Sequence, residues 1–68
     1  MTQCERILKY MNDFGSISAA QAMTDLGVYR LASRIHDLRM MGIDIESETH
    51  TGKNRYGEST HFSVYRRV

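Results

Sequence analysis

Sixty-eight residues, 41% hydrophobic and 25% charged, with a formal net charge of +1, fit one small domain with a modest core. A chain this short leaves no room for an enclosed active-site cavity and its walls, and it shows no run of membrane-spanning length and no charged-then-apolar leader. The single cysteine, Cys4, cannot form an internal disulfide, which suits a reducing cytoplasm.

The first predicted helix covers about residues 3–13. Thr2 and Glu5 have the spacing of a capping box, and Cys4, Ile7, Leu8 and Met11 recur at helical intervals. Phe14 is expected to continue that face and Gly15 to stop it. Ser16 and Ile17 read as a short extended link. Ser18 and Gln21 form a second capping box ahead of a helix over about 19–26. Its alanines suit close packing against a neighbouring helix, and Gly27 suits a turn with positive φ. A third helix is expected over about 29–41. Leu31, Ile35 and Leu38 form its apolar face, Gly42 caps it, and Arg39 near the end suits the helix dipole or the open surface.

The period then changes from helical to two. Ile43 and Ile45 alternate with Asp44 and Glu46, and Thr60, Phe62 and Val64 alternate with His61, Ser63 and Tyr65. Two antiparallel strands, about 43–48 and 60–66, are expected around a glycine-marked loop over about 49–59. The order is helix, helix, helix, strand, loop, strand: an α+β domain.

Net charge alone argues weakly against a nucleic-acid partner, but its distribution does not. The balance is −1 over residues 1–28, +2 over 29–42, −3 over 43–48 and +3 over 49–68. Positive charge therefore gathers on the third helix and on the loop with the last strand. Arg30 and Arg34 have the chemistry for guanine edges or phosphates, Tyr29 for the DNA backbone, and Ser33 for close approach. Each also has a plainer reading: a solvated arginine for Arg30, a cap over the second helix for Tyr29, a surface serine for Ser33, and an ion pair with Asp37 for Arg34. Lys53, Asn54 and Arg55 are placed to touch a phosphate backbone or a minor groove from the loop. Asp44, Glu46 and Glu48 would repel DNA and are expected on an edge turned away from it.

His36, His50 and His61 share no metal-ligand spacing. Asp37 cannot orient its neighbour His36, because adjacent helical side chains point about 100° apart. No phosphate-cradling glycine loop and no paired-carboxylate cleft is present, so neither an enzyme nor a metal or cofactor site is expected.

The segments QCERIL, GVYRLASRIHDLRMMG, IDIE and TGKNRYGE together resemble a winged helix-turn-helix domain family, widespread in small bacteriophage, prophage and bacterial proteins. The resemblance implies three helices followed by a two-stranded antiparallel β-hairpin wing, with the third helix in a DNA major groove and the wing on the adjacent backbone. The expected partner is double-stranded DNA, bound by a transcriptional regulator or by an excisionase-like factor that bends it. One recognition helix offers few base contacts, so a homodimer or a cooperative assembly is expected to supply specificity. The other class of reading is a protein-binding module, such as a phage-encoded inhibitor docking on a host protein. The low net charge, the acidic run and Met40 and Met41 motivate it.

Overall fold

The computed structural model describes all 68 residues, as α1 (Gln3–Phe14), β1 (Ile17–Ser18), α2 (Ala19–Leu26), α3 (Leu31–Met40), β2 (Ile45–Lys53) and β3 (Ser59–Arg67). Both capping boxes form. The Thr2 hydroxyl accepts from the Glu5 N–H at 3.1 Å, and the Glu5 carboxylate accepts from the Thr2 N–H at 3.2 Å. Those bonds, the Thr2 backbone N–H foremost, hold the Glu5 carboxyl below the usual carboxylate range. Ser18 and Gln21 repeat the exchange at the start of α2. Gly27 turns the chain out of α2 at φ 68°. At the end of α3, Gly42 at φ 90° donates to the Arg39 carbonyl and Ile43 to the Leu38 carbonyl, which is the paired hydrogen bonding of a Schellman close.

Nine buried apolar side chains make the core: Ile7, Met11, Ile17, Ala22, Val28, Leu31, Ile35, Leu38 and Ile45. The three helices supply most of it, and the sheet closes one side. Of the early alanines in α2, only Ala22 is buried. Phe14 does not continue the core face. It lies beyond Met11 at the helix end, 71% exposed, with its ring 4.7 Å from that of Tyr10.

The sheet has three strands, not two, in the order β1-β3-β2, all antiparallel. The residues expected as a bare link carry the extra strand: Ile17 pairs with Tyr65 and Ser18 with Val64, which buries Ile17 completely. The hairpin is also longer than its apolar alternation suggests. Pairing runs from Ile45 opposite Arg67 to Lys53 opposite Ser59, so the loop shrinks to residues 54–58. Ile43 lies outside the strand because the Schellman close takes its N–H, and Asp44 leads into β2 with its carbonyl accepting from the Val68 N–H. Nine residues of strand reach about 30 Å, and most of the hairpin projects beyond the core. The principal extents are 39 × 21 × 21 Å, and the radius of gyration is 12.3 Å. A compact chain of this length would have about 11 Å.

Candidate nucleic-acid interface

Helix α3 starts two residues later than its sequence pattern suggests and ends one residue earlier. Arg30 sits at the N-cap with φ −124° and ψ 61°, outside the helical region, and its side chain makes no capping bond. A guanidinium has donors only, so it cannot satisfy the N–H groups of a first turn. The positive end of the α3 dipole is therefore left without a side-chain acceptor.

Leu31, Ile35 and Leu38 anchor α3 in the core. At about 100° per residue, Ser33, His36 and Met40 fall on the opposite ridge, flanked by Ala32 and Asp37. Met40 is 76% exposed and His36 is exposed. Arg34 lies on one flank. Its Nη2 pairs with the Asp37 carboxylate at 3.1 Å, while its Nε is shielded from solvent and has no hydrogen-bond partner. Arg39 lies on the other flank and does more than complement the dipole. Its Nε and Nη2 both donate to the Ile45 carbonyl, at 3.2 and 2.8 Å, tying the end of α3 to the base of β2.

Four side chains meet beside the start of α3. Tyr29, Arg30 and Arg34 line a cleft of about 350 Å³ together with Gln3, the first residue of α1. Tyr29 and Arg30 are exposed and Arg34 is half-buried. Two guanidiniums beside an uncapped helix N-terminus favour an anion. One guanidinium charge is partly offset by Asp37.

The wing sorts its charges by face. Directly paired residues share a face, and faces alternate along a strand. Ile45, Ser47, Thr49, Thr51 and Lys53 therefore share the core-side face with Arg67, Tyr65, Ser63, His61 and Ser59. That face carries hydroxyls, a histidine, a lysine and, at its base, Arg67, and no carboxylate. Glu46, Glu48 and His50 share the other face with Arg66, Val64 and Phe62. There Arg66 bonds Glu48 closely and reaches Glu46 at 3.4 Å, and His50 lies 3.2 Å from Glu48. The acidic run is thus turned to one face and partly neutralised by a cation from β3. Phe62, 44% exposed, lies across Gly52: a β-carbon there would sit 3.3 Å from the ring.

At the tip, Asn54 is the organiser. Its Oδ1 accepts from the Tyr56 and Glu58 N–H groups at 2.9 and 3.0 Å, and its Nδ2 donates to the Glu58 carboxylate at 3.2 Å. Lys53 and Arg55 flank it, exposed and without an ion-pair partner.

The seven residues singled out from sequence therefore fall in three places. Tyr29, Arg30 and Arg34 come together in the cleft, Ser33 lies on the outer ridge of α3, and Lys53, Asn54 and Arg55 occupy the wing tip. Gln3, Ala32 and His36 join these surfaces without having been singled out as contacts, and so does Met40, which the sequence marks only for a protein-docking surface. A helical wheel centred on Leu31, Ile35 and Leu38 identifies the last three. Nothing local signals Gln3, which arrives by packing of α1 near α3. No group of three or more metal-capable side chains gathers in the chain, and no helix is long and apolar enough to cross a membrane.

The sequence model of a family described as a winged helix-turn-helix domain matches residues 2–65. No curated protein and no solved structure matches the chain. Winged helix-turn-helix domains are typically non-catalytic and bind DNA.

Proposed function

The chain belongs to the winged helix-turn-helix domain family, and we propose that it binds double-stranded DNA through α3 and the core-side face of its wing. The division of charge on the wing carries this reading: hydroxyls and Lys53 on the core-side face, Glu46 and Glu48 on the other. In this reading the cleft of Tyr29, Arg30, Arg34 and Gln3 holds a backbone phosphate. Ser33 and His36 approach base edges in the major groove, with Ala32 leaving room for the backbone to come close. Lys53 and Arg55 reach the flanking phosphates or the minor groove, and Asn54 holds the tip that presents them. The role is that of a small regulator, or of an excisionase-like factor that shapes DNA.

Arg30, Lys53 and Arg55 have no ion-pair partner in the chain, so neutralising three phosphates with them gives a log–log salt slope of about −2.7. Affinity for duplex DNA then falls by roughly 40-fold between 50 and 200 mM salt. Lys53→Ala flattens the slope by about 0.9. Arg30→Ala weakens binding to every duplex and flattens the slope similarly. Absence of duplex binding at the lower salt, or an unchanged slope in both variants, refutes the reading.

The second reading, docking on a protein, is favoured by one observation: exposed Met40 stands on the ridge that would enter a groove. A stoichiometric protein partner retained after nuclease treatment, with no duplex binding by the purified chain, would select it.

A further inference from the structure

The outer side of α1 carries a second surface, which begins one turn beyond Gln3 and runs away from the cleft at the start of α3. Arg6, Tyr10 and Asp13 follow one another at intervals of four and three residues, the spacing of a helix–helix seam. Phe14 stands beside that seam with its ring against Tyr10 and most of its surface open. Leu26 of α2 and Met1 complete an apolar groove of about 230 Å³, with Arg6, Lys9 and Asp13 at its rim. The Tyr10 hydroxyl is held by the Asp25 carboxylate at 2.6 Å, which fixes the ring as one wall. An exposed aromatic patch with a charged rim marks an interaction surface on a small protein.

The charges on the seam select the occupant. Arg6 has no ion-pair partner within the chain, and Asp13, seven residues further along the same side, pairs only with the exposed Lys9 at 3.1 Å, a surface contact weak enough to be shared with a second cation. We propose that this seam docks on the same seam of a second copy, with the two α1 helices antiparallel. A two-fold axis between Arg6 and Asp13 sets Arg6 of each copy against Asp13 of the other, twice. Tyr10 is then covered near the axis, and Phe14, beyond Asp13, is covered by the first turn of the other copy's α1. An isologous interface requires this self-complementarity. Asp13 and Asp25 offset Arg6 and Lys9 beside the groove, so it offers no net positive charge to attract DNA. Helix α1 is 12 residues, so the strip is about 18 Å long. It is smaller than the roughly 800 Å² per partner of a standard interface, and the dimer is correspondingly weak, in the micromolar range or above. This inference does not depend on what α3 binds. It supplies a second recognition helix if the target is DNA.

Sedimentation of the full chain in the absence of DNA tests it. From about 10 µM to 1 mM, bracketing a weak interface, the average mass should climb from the monomer's 7.9 kDa toward twice that value. Arg6→Asp and Asp13→Arg should each remain monomeric with unchanged helical circular dichroism, and the double swap Arg6→Asp/Asp13→Arg should recover the dimer. Phe14→Ser should also remain monomeric. A chain that is monomeric throughout overturns the proposal. So does a dimer unaffected by either single charge reversal, or a double swap that fails to restore what both single reversals abolish. Loss of self-association with duplex binding intact would leave the DNA reading standing, and the converse would leave this one.

Discussion

Replacing Arg39 by methionine removes the clamp between α3 and the wing while keeping an apolar stem of similar reach. The Val68 N–H donates to the Asp44 carbonyl at 3.0 Å, which makes residues 44 and 68 a hydrogen-bonded pair. The next pair, Ile45 with Arg67, is then non-hydrogen-bonded, and the Ile45 carbonyl points away from β3 toward the free edge of β2. Arg39 meets it there with two donors. Hydrogen bonds to a charged group contribute about 1.5–3 kcal/mol when shielded. Arg39 is exposed and water can take its place, so the loss is nearer about 1 kcal/mol. In a domain this small that lowers Tm by about 4–8 °C. Arg39→Lys, with one compact donor in place of a fork, should fall between the parent and Arg39→Met. Thermal unfolding by circular dichroism reads the global effect, and hydrogen exchange along residues 45–53 reads the wing. A Tm within about 1 °C of the parent, with unchanged exchange in β2, would refute the claim that this pair couples α3 to the hairpin.

Three further predictions concern single side chains. Asn54→Ala should hardly move the global Tm, because its bonds are exposed, yet it should speed amide exchange at Tyr56 and Glu58 and weaken duplex binding by loosening the tip. Asn54→Asp, which keeps the acceptor, should preserve those amides. Hydrogen bonding to Asp25, with burial and the carboxylate's charge, pushes the Tyr10 phenol above its ordinary value. The neutral phenol is thus favoured in the fold, and the associated stability, complete below the ordinary tyrosine value, is lost as pH rises through the raised one. Ultraviolet titration should find Tyr10 shifted back down in Asp25→Asn. Glu5 runs the other way. Its depressed carboxyl contributes stability above the ordinary glutamate range, and this is lost as pH falls through the depressed value. Glu5→Gln keeps the capping reach and should remove that part of the acid dependence, measured as Tm against pH.

What was legible in the sequence was local. The two capping boxes, the glycines after each helix and the Leu31, Ile35 and Leu38 face need only neighbours within one or two turns, and each appears in the fold. Strand β1 was not legible: two residues carry no period, and Ile17 is extended because Tyr65, far along the chain, pairs with it. The outer half of the hairpin was hidden for a different reason. Thr49, His50 and Thr51 have both faces exposed, so no apolar alternation marks them, and the cross-strand ladder alone makes them strand. The candidate site was legible by chemistry and less so by geometry. Arg30, Arg34 and Tyr29 stood out as residue types, but their meeting with Gln3 depends on how α1 and α3 pack. The composition of the acidic run implies only that it turns away from DNA. Its assignment to one face of β2 and its partial neutralisation by Arg66 follow from register, which the sequence pattern did not set.

Backbone chemical-shift mapping with a short duplex tests the central claim most directly. The account predicts that titration shifts amides at Tyr29, Arg30, Ser33 and His36 and at Lys53 and Arg55. It predicts little change at Glu46 and Glu48 or at Tyr10 and Phe14 once self-association is accounted for. Shifts centred on the acidic face of the wing or on the α1 seam, with α3 silent, would contradict it.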